Sequence, residues 1–240
     1  MFTRKILAVV IARSGSKGIK NKNLSEIGGK PLIAHIIETA VIVSSELPMD
    51  IVMSTDSREI QAAALAAGAS VPFIRPTALA EDHVPSLPVV QHAVLEMERQ
   101  KSISYEIIVY LQPTSPLCRP VDISECITKL VENELVMSAV AVTEVETHPF
   151  RMKRLLNDGR LINYIDQGFE DMRPRQMLPK VYRRAGSVYV SRREVVMEQD
   201  TLVGDPCIGV VVPNDTAVDI DTPIDLEMVR MLYDRKKESL

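Results

Sequence analysis

Hydrophobic residues along the chain form short, β-branched runs separated by segments with helical spacing. The runs Ile6–Ile11 and Ile107–Leu111 predict buried strands of a sheet. Shorter runs predict further strands at residues 51–54, 71–74, 136–142, 186–190 and 207–212. Helices are predicted at residues 31–43, 58–67, 88–99, 121–133 and 224–237. Strands and helices that alternate in this way predict an α/β fold with a mostly parallel, twisted sheet flanked by helices.

The alternation stops between Thr147 and Ala185. This segment is basic, contains three prolines and shows only one short alternating piece, at residues 160–164. We interpret it as an excursion from the sheet, in the form of a β-hairpin arm that packs on a second subunit. The sequence therefore predicts one domain, residues 1–240, with an inserted dimerisation arm at about 147–185.

Composition narrows the class of protein. The 240 residues are 46% hydrophobic and 25% charged with a net charge of −4, which indicates a globular protein and argues against a general nucleic-acid binder. Residues 4–30 hold seven Lys/Arg against one acid, and residues 151–193 hold eleven against four. These basic zones indicate local anion sites, although the second could also be a solvated rim.

The three cysteines form no CxxC pair, which favours a reduced, cytoplasmic compartment. The first apolar run is too short for a signal peptide and has no cleavage pattern after it. No apolar window reaches the length of a membrane span. We therefore expect neither a membrane nor a nucleic acid as a partner.

The segment that follows the first strand, Ala12–Asn23, reads ARSGSKGIKNKN. Its glycines and serines provide a flexible turn with free backbone N–H groups, and Arg13, Lys17, Lys20 and Lys22 add positive charge. This combination favours a phosphate-binding loop. It matches neither the Walker A spacing nor the GxGxxG fingerprint. An ordinary Gly/Ser turn with solvated lysines is the alternative.

Polar residues follow several of the predicted strands. In parallel sheets, ligands bind at the carboxyl ends of the strands, where Arg13, Asp56, Arg75 and Gln112 would lie on one rim. Gln112 precedes a rigid Pro-Thr-Ser-Pro turn, so it is either a preorganised hydrogen-bonding group or a simple strand terminator.

Two acids alternate around an apolar residue in Asp219-Ile220-Asp221. In an extended segment, residues two positions apart project to the same side, so both carboxylates would face one point and suit Mg²⁺. A solvated turn is the alternative. Together with a phosphate-binding loop, these acids indicate nucleotidyl transfer, in which the protein mainly positions groups and neutralises charge.

Three motifs carry a resemblance to a known family. ARSGSKGIKNKN, LQPTSPL at residues 111–117 and the late Asp-Ile-Asp closely resemble the CMP-sialic acid synthetases (acylneuraminate cytidylyltransferases) over nearly the whole chain. The resemblance implies a Rossmann-like α/β fold and a homodimer held by an extended arm. It also implies Mg²⁺-dependent transfer of CMP from CTP to a nonulosonic acid, either sialic acid or a bacterial relative such as legionaminic acid.

The resemblance also implies roles for individual residues. The residues that would bind CTP are Arg13, Ser16, Lys17, Lys22, Asn23, Arg75 and Ser86, with Arg13, Lys17 and Asp221 serving catalysis. The residues that would bind the sugar are Gln112, Arg151, Arg175 and Tyr189, in their own or a partner's site. Asp219 and Asp221 would hold Mg²⁺, and Arg175 would bind the sugar carboxylate.

The chain departs from the family pattern at two places. Cys118 stands where the family usually has arginine, with Arg119 one place later, and Ala185 stands where an asparagine usually precedes Gly186. Both positions lie near the sugar side, so the sequence leaves the acid open. A nucleotidyltransferase for another sugar acid, or a nucleotide-binding module without catalysis, are the alternatives; the metal-binding acids and Lys17 argue against the module.

Overall fold

The computed structural model describes residues 5–15 and 18–238. Within this part of the chain, the strands are β1 (Ile6–Ile11), β2 (Glu26–Ile27), β3 (Lys30–Pro31), β4 (Met49–Ser54), β5 (Ile107–Leu111), β6 (Ser138–Glu144), β7 (Lys153–Leu155), β8 (Leu161–Asn163), β9 (Tyr182–Arg192) and β10 (Cys207–Val211). Six of them form the main sheet in the order β10–β6–β9–β5–β1–β4. β1 is parallel to both β4 and β5, and β6 is parallel to β10.

The helices are α1 (Leu32–Ser44), α2 (Arg58–Ala66), α3 (Ser86–Lys101), α4 (Pro120–Glu132), α5 (Arg193–Met197) and α6 (Pro223–Glu238). The Ser57 hydroxyl accepts a hydrogen bond from the Ile60 amide and so caps α2. The predicted α/β class, with a mostly parallel sheet flanked by helices, is confirmed.

Helices cover both faces of the sheet because side chains along a strand alternate in direction. On β1, Ile6, Ala8 and Val10 pack in one core cluster with α1, α2 and α4. Leu7 and Val9 pack in a second cluster with α3 and α5 on the opposite face. Residues 6–10 of β1 are therefore buried, as the composition of the run predicts, and Ile11 at its end is partly buried.

β9 interrupts the parallel sheet. It lies between β5 and β6 and is antiparallel to both. Its register with β6 shifts between Val140 and Val142, which marks a β-bulge, and Gly186 adopts a φ of +86° in this stretch. The bulge lies beside the carboxyl end of β5 and therefore shapes one wall of the site.

The predicted strand at residues 71–74 is wrong. The structure forms only an isolated bridge between Val52 and Ser70, and the chain then leaves the sheet. Pro72 has no N–H to continue a ladder, so the β-branched residues around it do not extend the pairing.

The segment between β6 and β9 forms an arm outside the main sheet. β7 and β8 pair as an antiparallel hairpin in which Leu155 faces Leu161. β9 begins at Tyr182, so the last residues of the predicted 147–185 segment belong to the sheet. Large exposed hydrophobic side chains of the arm are Met152, Leu155, Leu161, Ile162, Tyr164, Ile165, Phe169, Met172 and Met177. Its role in dimerisation stays a prediction.

The last helix, α6, packs against β2 and the start of α1. Leu226 and Val229 join Ile27 and Leu32 in a third core cluster. None of the helices in the described ranges is long and apolar enough to cross a membrane.

Candidate active site

A cleft of about 370 Å³ opens at the carboxyl ends of β1 and β5. The predicted site residues that line it are Arg13, Lys22, Asn23, Arg75, Ser86, Gln112 and Asp221. Ser16 and Lys17 lie outside the described residues. Of the four residues predicted on one rim, Arg13, Arg75 and Gln112 line this cleft, whereas Asp56 does not. The cleft therefore brings together groups that are far apart in the sequence.

The loop after β1 is fixed by its neighbours. The Ser14 amide and hydroxyl donate to the Asp56 carboxylate at 2.9 and 2.7 Å. Burial of Asp56 opposes ionisation, but these bonds from Ser14 lower the pKa of the carboxyl below its usual value. The Asn23 amide donates to the Arg13 carbonyl at 3.0 Å, and the Arg13 guanidinium pairs with Asp82. These contacts fix Arg13 and Ser14 at the start of the loop and Asn23 at its end.

The loop after β1 also contacts the Asp219-Ile220-Asp221 motif directly. The Lys22 ammonium donates to the Ile220 carbonyl at 2.6 Å and lies 3.5 Å from a carboxylate oxygen of Asp221. A Cβ atom added to Gly18 would lie 2.5 Å from the Asp221 carbonyl oxygen. Glycine is needed at position 18 because the two backbones approach this closely.

Arg75 ties the ends of β1 and β4 together from inside the cleft wall. Its guanidinium donates to the Ser54 hydroxyl at 3.1 Å, the Ala12 carbonyl at 3.1 Å and the Ser54 carbonyl. Burial lowers the pKa of Arg75 to about 10, so the side chain still carries its charge at neutral pH. Most of its hydrogen-bonding capacity is used in holding the backbone of the site.

Tyr110 is a cleft residue that sequence reasoning missed. Its hydroxyl lies 3.0 Å from the Ser86 hydroxyl, and its ring stacks on Tyr189 with 5.6 Å between centroids. Burial raises the pKa of Tyr110 to about 12, so the phenol is neutral. The sequence contains the information needed to find it, because Tyr110 stands two positions before Gln112. Side chains two positions apart in a strand lie on the same face.

The two acids of the late motif have different surroundings. The side chain of Asp221 is 77% exposed and lines the cleft. Asp219 is half-buried, and its Oδ1 atom has no hydrogen-bond partner among the described residues. In the described part of the chain, no group of three or more acidic, His or Cys side chains converges on one point.

These acids fit a magnesium ion that shares its coordination with a substrate. Mg²⁺ in nucleotide sites is held by one or two carboxylates, with phosphate oxygens and water completing the shell. In such a site, the unpartnered oxygen of Asp219 and the exposed carboxylate of Asp221 would be the protein ligands.

Two of the predicted sugar-side residues lie on the arm, away from the cleft. Arg175 donates to the Val145 carbonyl at 2.8 Å, lies 3.6 Å from Glu144 and lines a separate cavity of about 100 Å³. Arg151 donates to the Arg173 carbonyl at 2.8 Å. Neither lines the cleft of its own chain.

The departure at Cys118 has a structural explanation. Cys118 is buried in the core, and burial raises the pKa of its thiol to about 12. Arg119 pairs with Asp122 at 2.6 Å, and the Asp122 carboxylate accepts the Arg119 amide at the start of α4. The arginine at position 119 therefore stabilises the beginning of a helix.

Comparison with known proteins identifies the family of this chain. A sequence model of the cytidylyltransferase family matches residues 7–236. The chain belongs to the cytidylyltransferase family.

Relatives of this family member cover nearly its full length. The chain is 34% identical to a pseudaminic acid cytidylyltransferase of Campylobacter jejuni, with 98% of this chain and 99% of the relative aligned. It is 32% identical to a CMP-N,N'-diacetyllegionaminic acid synthase of Legionella pneumophila, with the same coverage. An N-acylneuraminate cytidylyltransferase of Escherichia coli is 28% identical over 97% of this chain and 53% of the relative.

A solved structure has the same fold. The CTP complex of a CMP:2-keto-3-deoxy-manno-octonic acid synthetase superposes with a TM-score of 0.67 at 21% identity, covering 97% of this chain and 99% of the other. This similarity establishes the architecture and leaves the acceptor to be argued from the site.

Proposed function

We propose that this cytidylyltransferase moves CMP from CTP to the anomeric hydroxyl of a nonulosonic acid and releases pyrophosphate. The observation that carries the proposal is the contact of Lys22 with Ile220 and Asp221, which joins a basic loop to an acidic motif at one cleft. The names of the relatives support a nine-carbon sugar acid, with pseudaminic and legionaminic acids supported alongside sialic acid.

The chain's own residues supply positive charge and orientation. Arg13 and Lys22 would neutralise the triphosphate, with Ser16, Lys17 and Asn23 completing the loop. Arg75 and Ser86 would position the base and ribose, and Gln112 the sugar. Fixed charges and hydrogen-bond donors of this kind stabilise the charge that develops during phosphoryl transfer, because they are already in position and do not need to reorganise.

Asp219 and Asp221 are the residues that would hold magnesium. When bound, Mg²⁺ withdraws charge from the phosphate oxygens that it contacts. The protein must also position the acceptor hydroxyl in line with the α-phosphate.

We further propose a homodimer assembled through the arm. The exposed hydrophobic side chains of the hairpin support this assembly, because burying Leu155 and Leu161 in an interface would remove apolar surface from water. In such a dimer, Arg151 and Arg175 would be available to the partner's cleft. Three free cysteines, two of them buried, support a reducing cytoplasmic location.

The test is a substrate matrix followed by pyrophosphate release. The protein is incubated with Mg²⁺ and with CTP, UTP or ATP, in combination with N-acetylneuraminate, N,N'-diacetyllegionaminate or pseudaminate. The proposal predicts release only with CTP and an acid together. Release that requires another nucleotide, or no release with any acid, would refute it. CMP-sugar formation with a different sugar acid would support the nearest alternative.

A further inference from the structure

We propose that the Tyr110 hydroxyl connects the two substrate subsites of the cleft, so that CTP and the acceptor acid bind cooperatively. Tyr110 is then a positioning residue, which acts through Ser86 on the nucleotide side and through Gln112 on the sugar side. The proposal rests on the CMP transfer proposed above, because that reaction supplies the roles of Ser86 and Gln112. It adds an energetic coupling between subsites that the family resemblance assigns separately.

The ring of Tyr110 is fixed by packing. It belongs to the core cluster between the sheet and α3, together with Val90 and Ala93. It also stacks on Tyr189, its directly paired neighbour on β9, with 5.6 Å between the ring centroids. Only 5% of Tyr110 is exposed, so the residue has little surface with which to contact a substrate itself. Its influence on binding must therefore pass through the side chains that its hydroxyl contacts.

Two side chains of the cleft interact with the Tyr110 hydroxyl. The Ser86 hydroxyl lies 3.0 Å from it, and either oxygen can be the donor. Burial raises the pKa of Tyr110 to about 12, whereas hydrogen bonding to the Ser86 and Gln112 side chains lowers it. The phenol therefore keeps its proton at neutral pH while it interacts with both neighbours. Because a hydroxyl both donates and accepts, it can join the two side chains in one chain of hydrogen bonds.

The backbone on both sides of this chain is held by secondary structure and hydrogen bonds. Ser86 is the first residue of α3. The Gln112 amide donates to the Ser187 carbonyl at 3.2 Å, and the Gln112 carbonyl accepts from the Ser115 amide at 3.2 Å. The groups that remain free to turn are therefore the two hydroxyls and the side-chain amide of Gln112.

A bound nucleotide would set the direction of the hydrogen bonds. When the Ser86 hydroxyl donates to CTP, its oxygen has to accept from Tyr110, and the Tyr110 oxygen then accepts from the side-chain nitrogen of Gln112. This orientation leaves the side-chain carbonyl of Gln112 to accept from a hydroxyl of the sugar. An acid bound in that way favours the orientation that suits CTP, because coupling between two ligands is reciprocal.

The experiment measures this coupling by isothermal titration calorimetry on the full-length protein. The nucleotide is α,β-methylene-CTP, which cannot release pyrophosphate, so binding is observed without turnover. It is titrated with Mg²⁺ present, with and without a saturating concentration of whichever acid reacts with CTP among N-acetylneuraminate, N,N'-diacetyllegionaminate and pseudaminate. Tyr110→Phe is compared with wild type and with Tyr105→Phe, whose lost hydroxyl donates to Asp50 in a different cavity.

We expect the acid to lower the dissociation constant of the nucleotide by at least about fivefold in wild type and in Tyr105→Phe. In Tyr110→Phe the two dissociation constants should agree within about twofold, because the chain of hydrogen bonds is broken while the ring is kept. Coupling that survives in Tyr110→Phe, or that is absent from wild type, would overturn the proposal. Equal loss of coupling in Tyr105→Phe would overturn it as well.

A second measurement tests whether the coupling passes through Tyr110. At saturating CTP, Ser86→Ala should raise the KM for the acid about fivefold in the wild-type background, although Ser86 is placed on the nucleotide side. In the Tyr110→Phe background the same change should leave that KM unaltered, since the connection is already lost. A rise of equal size in both backgrounds would contradict the proposal. Wild-type protein that releases no pyrophosphate with CTP and any of the three acids would instead refute the proposed reaction.

Discussion

The side chain of Lys22 reaches the carbonyl of Ile220 across 198 positions of sequence, at 2.6 Å. This hydrogen bond joins the loop after β1 to the segment before α6 at one wall of the cleft. It also holds the Lys22 ammonium 3.5 Å from Asp221, so a cation and an anion stand together where a metal-bound triphosphate would have to lie.

Gly18→Ala should damage the cleft, because the new methyl group would lie 2.5 Å from the Asp221 carbonyl oxygen. The backbone at residue 18 or at Asp221 must therefore shift, at a cost of about 1–3 kcal/mol in unfolding free energy. We expect kcat/KM for CTP to fall at least tenfold. The matched change Gly15→Ala, whose methyl group would find its nearest atom at 3.9 Å, should cost much less. Equal losses in the two variants would argue against the close approach.

Asp56→Asn should destabilise the protein at neutral pH, because the carboxylate accepts two hydrogen bonds from Ser14. The site is partly exposed, so we expect about 1 kcal/mol in urea unfolding. The folded-state pKa is lowered, so this stabilisation is present above the unfolded value of about 3.9 and is lost as the pH falls through the folded value. The difference between variant and wild type should therefore shrink below about pH 4. Glu46→Gln, at an exposed position, serves as the control.

Tyr110→Phe should weaken CTP binding without unfolding the protein. The change removes the hydroxyl that lies 3.0 Å from Ser86 and keeps the ring that stacks on Tyr189. The KM for CTP should rise about 2- to 12-fold, as expected for one neutral hydrogen bond. Tyr105→Phe removes a hydroxyl that donates to Asp50 in the wall of a different cavity, so it should lower Tm and leave that KM unchanged.

Replacing Leu155 and Leu161 together by glutamate should dissociate the proposed dimer. The two side chains are paired across the hairpin and are 68% and 64% exposed, so new charges there would oppose burial in an interface. Sedimentation velocity should show a dimer for wild type and a monomer for the double variant. Leu135→Glu, at an 82% exposed position off the arm, should remain dimeric. A monomeric wild type would contradict the prediction.

Much of the fold follows from local sequence. Ile107–Leu111 is predicted and observed as a strand with the same boundaries, because its β-branched run is buried on both faces. Ser57 is recognisable as a cap by its position before an amphipathic helix. The meeting of Arg13, Asp56, Arg75 and Gln112 near one rim follows from the rule that strand ends share an edge of a parallel sheet.

Other features depend on tertiary pairing that periodicity does not carry. The antiparallel insertion of β9 places Tyr189 beside Tyr110, and no local pattern specifies this pairing. The strand predicted at residues 71–74 fails because Pro72 ends the ladder after one bridge. Asp219 and Asp221 look equivalent in the sequence, yet one is half-buried and the other is exposed.

We propose that the loop after β1 and the Asp219-Ile220-Asp221 motif act on one CTP molecule. The most direct measurement follows the reaction by ³¹P NMR, with CTP, Mg²⁺ and a nonulosonic acid, for wild type and Asp221→Asn. We predict one CMP-sugar phosphodiester for each pyrophosphate in wild type. In the variant we predict no product, with an unchanged Tm because Asp221 is exposed. Undiminished product from Asp221→Asn, or pyrophosphate released without an acid, would contradict the account.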